Sequence, residues 1–95
     1  MHGEYKIPGG KLVVVDLDIA EGALRHVEIS GDFFLMPEDA IWSMTRALEG
    51  APAGADEAEL ARRVRYAAGD AEMIGITPEG VAIAVRRAIE GNGNK

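Results

Sequence analysis

Cysteine is absent from this sequence of 95 residues, and aromatic residues make up only 5% of it. Without cysteine, the chain has no disulfides, cysteine-ligated iron–sulfur clusters, zinc ribbons or thiol nucleophiles. Hydrophobic residues nevertheless reach 47%. The core of the folded protein must therefore be built from aliphatic side chains.

Long apolar stretches are also missing. Runs such as Leu12–Val15 are far shorter than the roughly 20 residues that a membrane-spanning helix needs. The N-terminal residues show no basic segment followed by an apolar one, so no signal peptide is expected. We predict a cytoplasmic protein without membrane contact, with one domain over residues 1–90 and a flexible tail over 91–95.

Basic residues are the scarcer charged class. Ten Lys and Arg stand against sixteen Asp and Glu, which gives a net charge of −6. Such a chain is a poor candidate for binding a phosphate backbone over a broad face, so we expect no nucleic-acid partner. Five arginines form two clusters that we place on outer helix faces, either solvated or paired with neighbours such as Glu59 and Glu90: Arg62, Arg63, Arg65, Arg86 and Arg87.

The first third of the sequence has the pattern of a sheet. Apolar and polar residues alternate over Lys11–Ile19, which predicts a half-buried strand, and Leu24–Ser30 returns after a glycine-containing turn. Glu4–Ile7, before a proline–glycine turn, is predicted as an extra edge strand. Phe33–Leu35 is predicted as a further short strand.

Helical periodicity begins after Met36. Pro37 suits the first position of one helix, Asp56 caps a second and Thr77 caps a third. The segment 73–76 is too apolar for a free linker and is expected to pack against the domain. Strands followed by helices predict an α+β fold, in which an antiparallel sheet of about three strands has helices packed on one face.

Residues able to carry chemistry are few. His26 shares a strand face with Glu28, but a solvated strand histidine explains this spacing better than a metal site does. Asp16 and Asp18 could act as paired carboxylates, although polar residues on the solvent-facing side of a hairpin give the same pattern. We therefore assign no catalytic residue and no metal ligand.

The most suggestive element is the loop that runs from Lys6 through Pro8, Gly9 and Gly10 to Lys11. Consecutive glycines let backbone N–H groups approach an anion closely, and the flanking lysines add positive charge in an acidic protein. A hairpin turn with solvated lysines produces the same composition. The residues alone leave both interpretations open.

The K-x-P-G-G-K loop is followed by a hairpin and by the sequence S-G-D-F-F, a combination more specific than either piece. The segments concerned are Glu4–Val13, Asp16–Ile19, Gly22, Ile29–Phe34, Leu48–Gly50 and Gly75–Glu79. Over nearly the whole chain they resemble the C-terminal accessory domain of lipoate–protein ligase. In some ligases, chiefly archaeal, this domain is a separate small polypeptide, and a chain that begins at Met1 just before the loop resembles that split form.

The resemblance implies an accessory role beside a large catalytic subunit. That partner would bind lipoate and ATP with Mg, make lipoyl-AMP and pass the lipoyl group to lysines of acceptor proteins. The small subunit would be needed for the adenylation step and would contact the acceptor proteins only indirectly. It would bind no cofactor by itself and would be inactive alone.

The resemblance also suggests which residues matter. Lys6, Lys11 and the Gly9-Gly10 backbone are expected to face the phosphates or the rim of the partner's site, with Pro8 shaping the loop. A second group forms a structural turn nearby: Ser30, Gly31, Asp32, Phe33 and Phe34. Asp32 is expected to fix the local backbone. Strand alternation would direct one of the two phenylalanines into the core and the other outward to the partner.

A rival function stays open from the sequence. The chain could be a stand-alone module that binds a protein or a small molecule, with a fold like that of iron–sulfur assembly scaffolds. The absence of cysteine argues against direct cluster binding by such a module. Co-purification with a ligase-type partner would separate the two functions.

Overall fold

A computed structural model describes residues 1–91 of the chain. The elements are β1 His2–Lys6, β2 Leu12–Ala20, β3 Ala23–Gly31, β4 Phe34–Met36, α1 Ala40–Leu48, α2 Glu57–Ala68, β5 Glu72–Ile74 and α3 Pro78–Glu90. The tail predicted over 91–95 lies outside the described residues except for Gly91, whose left-handed conformation ends α3.

Strands β1, β2 and β3 form an antiparallel sheet in that spatial order. Val13 of β2 pairs with Tyr5 on one side and with Gly31 on the other. Glu21 and Gly22 form the β2–β3 turn, and both have the positive φ that matches the twist of a hairpin. Helix α3 contacts β1 and β2, and α1 contacts β3. The predicted α+β fold is confirmed.

A β-bulge interrupts the regular alternation of β3. Asp16 pairs with Glu28 and Asp18 pairs with Arg25, so two residues of β3 lie opposite one residue of β2. His26 occupies the bulge with a φ of 54°, a conformation in which histidine is enriched among non-glycine residues. The bulge allows Leu24 and Val27, three positions apart, both to be buried.

Side-chain caps begin the second and third helices, as predicted. The Asp56 carboxylate accepts the Glu59 N–H at 2.9 Å, and the Thr77 hydroxyl accepts the Gly80 N–H at 2.9 Å. The first helix exists, but its predicted start at Pro37 was wrong, because Pro37 lies in a turn and the helix starts at Ala40. Within residues 1–91, no helix has both the length and the apolar character needed to cross a membrane.

A second, two-stranded sheet was not predicted. Strand β4 does not join the main sheet but pairs antiparallel with β5, and Leu35 lies opposite Met73. We call this pair of strands the ribbon. The strand predicted at Phe33–Leu35 is shifted by one residue, and the segment 73–76 packs, as expected, through β5 and the buried Ile76.

The core is aliphatic, as the composition predicts. Its most deeply buried large side chains are Val13, Val15, Leu24, Met44, Leu48, Leu60, Val64, Val81 and Val85. Tyr5 and Phe33 are partly buried against this cluster, and no polar or charged side chain of the described residues is buried.

Strand β1 packs directly on the backbone of α3. A methyl group at Gly3 would overlap the main chain of Ala84 and Ala88. The edge of β1 is also closed by Arg87, which donates to the Glu4 carbonyl at 3.0 Å and stacks on the Tyr5 ring. Glycine at position 3 therefore permits the close approach of sheet and helix.

Replacing Gly3 by alanine should lower the free energy of unfolding by about 1–3 kcal/mol, the usual cost of overpacking a filled interior. Gly54→Ala is the matched control, because nothing lies within 4 Å of the methyl group added there. Urea denaturation followed by circular dichroism measures both variants. Equal stability of the two would contradict the direct packing of β1 on α3.

Candidate functional site

The loop between β1 and β2 is closed by its own hydrogen bonds. The Gly10 N–H donates to the Ile7 carbonyl at 2.8 Å, and Gly9 takes a φ of 73° that suits glycine. The Lys6 ammonium donates to the carbonyls of Ile7 and Gly10, at 3.2 and 2.7 Å. Lys6 is therefore turned back on its own loop and supports its shape.

Lys11 joins this loop to the ribbon. Its N–H donates to the Gly75 carbonyl at 2.8 Å, just beyond the end of β5. A methyl group at Gly75 would meet the Cγ atom of Lys11 at 2.6 Å, so the aliphatic part of the lysine packs over this glycine. Lys11 is exposed, as Lys6 is, but its side chain packs over Gly75 and not on its own loop.

The second predicted group, residues 30–34, lies at the same end of the main sheet. A methyl group at Gly31 would overlap the Leu12 carbonyl and lie 2.9 Å from the Phe33 ring, so this turn packs closely on the start of β2. Asp32 is exposed, and its part in fixing the backbone stays a prediction.

The two phenylalanines differ in how far their side chains are buried. Phe33 is half-buried, whereas Phe34 is 67% exposed. Both line a shallow cavity of about 240 Å³ between the end of β3 and the start of α1, which Leu35 and Ile41 also line, together with Glu38 and the Ser30-Gly31 turn. The fold thus brings the loop and the turn together at one end of the domain.

The sequence did not predict that two apolar residues of this region, Ile74 and Met36, are exposed. Ile74 lies directly opposite Phe34 across the ribbon, and Met36 follows on the same face. Their exposures are 46% for Ile74 and 60% for Met36. The available signal was the apolar segment 73–76, but a three-residue strand shows no periodicity to reveal its partner.

The two aspartates considered as a carboxylate pair have separate partners. His2 contacts Asp16 at 2.8 Å and Glu4 at 2.7 Å, whereas His26 contacts Asp18 at 3.1 Å. The predicted solvated position of His26 is confirmed, because its side chain is 83% exposed. Among the residues that the structure describes, no group of three or more His, Asp or Glu is placed to hold a metal ion.

Four of the five clustered arginines, Arg62, Arg63, Arg65 and Arg86, pair with carboxylates. Arg62 and Arg63 both donate to Glu59 and hold its pKa below the ordinary value of 4.5. Arg86 donates to Glu90 at 3.0 Å. Because these arginines are engaged in ion pairs on the helix surface, the glycine–lysine loop is the better candidate for binding an anion.

A solved structure matches this chain with a TM-score of 0.70 and 28% sequence identity. It describes an archaeal lipoylation system, a bi-partite lipoate protein ligase and its E2 lipoyl domain from Thermoplasma acidophilum. The match covers 90% of this chain and 98% of the other. The resemblance to the lipoate–protein ligases is confirmed. No protein-family model matches the sequence, and no curated protein matches it.

Association with a lipoate ligase system agrees with the chemistry of this site. The loop, the turn and the ribbon supply an exposed lysine, closely packed backbone and apolar side chains. Such groups suit contact with a partner or an anion better than bond-making chemistry, which needs a nucleophile and a positioned base. The loop and the turn therefore stay the predicted binding surface of this chain.

The pH dependence of stability should report on His2. Its pKa is raised above the ordinary value of 6.5, first by the hydrogen bond to Glu4 and then by the one to Asp16. The stabilisation by protonated His2 is therefore complete when the pH is below the ordinary pKa of 6.5. It is lost as the pH rises through the raised pKa of the folded protein. Denaturation of the wild type and of His2→Gln between about pH 5 and 8 tests this. A stability difference that does not shrink with increasing pH would contradict it.

Proposed function

We propose that this chain is the accessory, non-catalytic subunit of a two-component lipoate–protein ligase in the cytoplasm. With a large catalytic subunit, it supports ATP-dependent formation of lipoyl-AMP, which precedes lipoyl transfer to lysines of acceptor proteins. The observation that carries the proposal is the similarity, over nearly all of both chains, to a structure from a bi-partite lipoate protein ligase system.

The mechanism we propose is closure of the partner's site. Docking of this domain excludes water from the bound nucleotide, which strengthens electrostatic contacts to the phosphates. Lys11 is the lysine that we expect to meet the phosphates or the rim of that site, because it is held over Gly75, whereas the ammonium of the equally exposed Lys6 donates to its own loop. Lys6 and the Gly9-Gly10 turn keep the loop in the required shape.

Lipoate, ATP and Mg belong to the complex in this proposal. The described residues place no cluster of three or more His, Asp or Glu for a metal ion. We therefore assign Mg²⁺ to the nucleotide and the large subunit and route no step through this chain. The contribution of the small subunit is to exclude water and to position charge.

Adenylation with and without this chain is the decisive experiment. The large ligase subunit from the same organism is mixed with lipoate and Mg·ATP, and lipoyl-AMP and pyrophosphate are measured. We expect product only when both subunits are present and none from this chain alone. Equal rates from the large subunit by itself would overturn the accessory role and favour a stand-alone binding module.

Substitution of Lys11 tests the part of the loop that faces the phosphates. A hydrogen bond to a charged group contributes about 1.5–3 kcal/mol, so Lys11→Ala should slow adenylation about tenfold or more. Lys11→Arg keeps the charge and should retain most of the rate. Lys6→Ala should act more weakly, through loss of loop order.

Arg62→Ala is the matched control, because it removes the same charge from an exposed position on α2. It should leave the adenylation rate unchanged. If Lys11→Ala and Arg62→Ala behave alike, the phosphate-facing role of Lys11 is wrong, while the accessory role of the chain would still stand.

A further inference from the structure

We infer that the exposed face of the ribbon is the surface through which this chain docks on the large ligase subunit. We call the three apolar residues of this face, Phe34, Met36 and Ile74, the ribbon patch, and Glu72 opposite Met36 completes the face. The inference rests on the proposed function and adds to it the part of the surface that the partner covers.

The ribbon patch is apolar although it faces solvent. Phe34 is 67% exposed, Met36 60% and Ile74 46%, and Phe34 lies directly opposite Ile74 on the same face as Met36. The chain has only two phenylalanines, so one of its scarce aromatic side chains is used outside the core. Aromatic residues and methionine are enriched in protein–protein interfaces, and contiguous exposed apolar side chains mark interaction sites.

The shape of the ribbon patch favours a protein over a small molecule. Ligand sites are concave and enclose most of their ligand. The three side chains instead stand out from a two-stranded ribbon, beside a cavity of only about 240 Å³ that Phe33 and Ile41 help to line. A partner protein can cover the projecting side chains and insert an apolar group of its own into the cavity.

Polar groups surround the ribbon patch as they do the centre of an interface. Glu72 lies opposite Met36 across the ribbon, and Glu38 lines the adjoining cavity. On the other side, the hydrogen bond from the Lys11 N–H to the Gly75 carbonyl makes the ribbon continuous with the glycine–lysine loop. A partner protein that covers the ribbon patch therefore also comes next to the loop that carries Lys11.

The negative charge of this chain favours the large subunit over a second copy of the chain as the protein that covers the ribbon patch. A symmetric dimer through the ribbon patch would bring the two glycine–lysine loops towards each other and would join two chains of net charge −6. A catalytic subunit that holds ATP presents anionic phosphates to the same lysines. These charges favour the large subunit as the partner that covers the ribbon patch.

The affinity of the two subunits for each other tests the inference. Isothermal titration calorimetry of the large subunit with the full-length small chain compares the wild type with Phe34→Ser and Ile74→Ser. Truncating a central interface side chain should weaken binding about tenfold or more. Tyr66→Ser on α2 is the matched control, since Tyr66 is 89% exposed and lies outside the ribbon, and it should bind as the wild type does.

Folding and self-association are measured on the same samples. Circular dichroism should show native spectra for all variants, and Phe34→Leu, which keeps an apolar side chain in the ribbon, should bind better than Phe34→Ser. Sedimentation velocity should show the wild-type small chain as a monomer. A wild-type dimer that Phe34→Ser dissociates would overturn the assignment to the large subunit.

The remaining outcomes distinguish the docking surface from the function. If Phe34→Ser and Ile74→Ser bind like the wild type while lipoyl-AMP formation still requires the small chain, the docking surface is wrong and the function stands. If the wild-type chain neither binds the large subunit nor affects adenylation, the proposed function fails, and the docking surface fails with it.

Discussion

The backbone hydrogen bond from Lys11 to Gly75 connects the two sheets of this protein. Lys11 immediately precedes β2, and Gly75 immediately follows β5, so the bond joins distant parts of the sequence. The lysine stem packs over the glycine, which has a positive φ and no side chain to obstruct the contact. The glycine–lysine loop and the ribbon thereby hold each other in place, and the position of Lys11 beside the ribbon depends on that link.

Both outer edges of the main sheet are covered by charged side chains. Arg87 covers the edge of β1, and the Glu49 carboxylate accepts the Val27 N–H at 2.6 Å on the outer edge of β3. Edges covered by charged side chains resist pairing with other strands. The wet face of the main sheet carries charged groups such as Asp16 and Glu28, directly opposite each other. An apolar partner therefore finds the ribbon patch a better surface than the main sheet.

Much of the fold could be predicted because its signals are local. The alternation in β2, the Glu21-Gly22 turn and the caps Asp56 and Thr77 each act within a few residues. Pro37 was misplaced because its φ suits both a helix start and a turn, and only the surrounding packing chooses between them. The loop was a candidate because of its glycines and lysines and the turn because of the resemblance, but their contact with the ribbon was not predicted.

The sequence by itself determined the aliphatic core, the α+β order of elements and the composition of the glycine–lysine loop, since these depend on residue type and short-range spacing. Tertiary structure alone decided that β4 pairs with β5, that the Lys6 ammonium donates to its own loop while Lys11 packs over Gly75, and that Phe34 faces solvent beside Ile74. Pairing between short strands separated by two helices has no local signal. It is set by which arrangement buries Leu35 and Ile76 while satisfying the backbone hydrogen bonds.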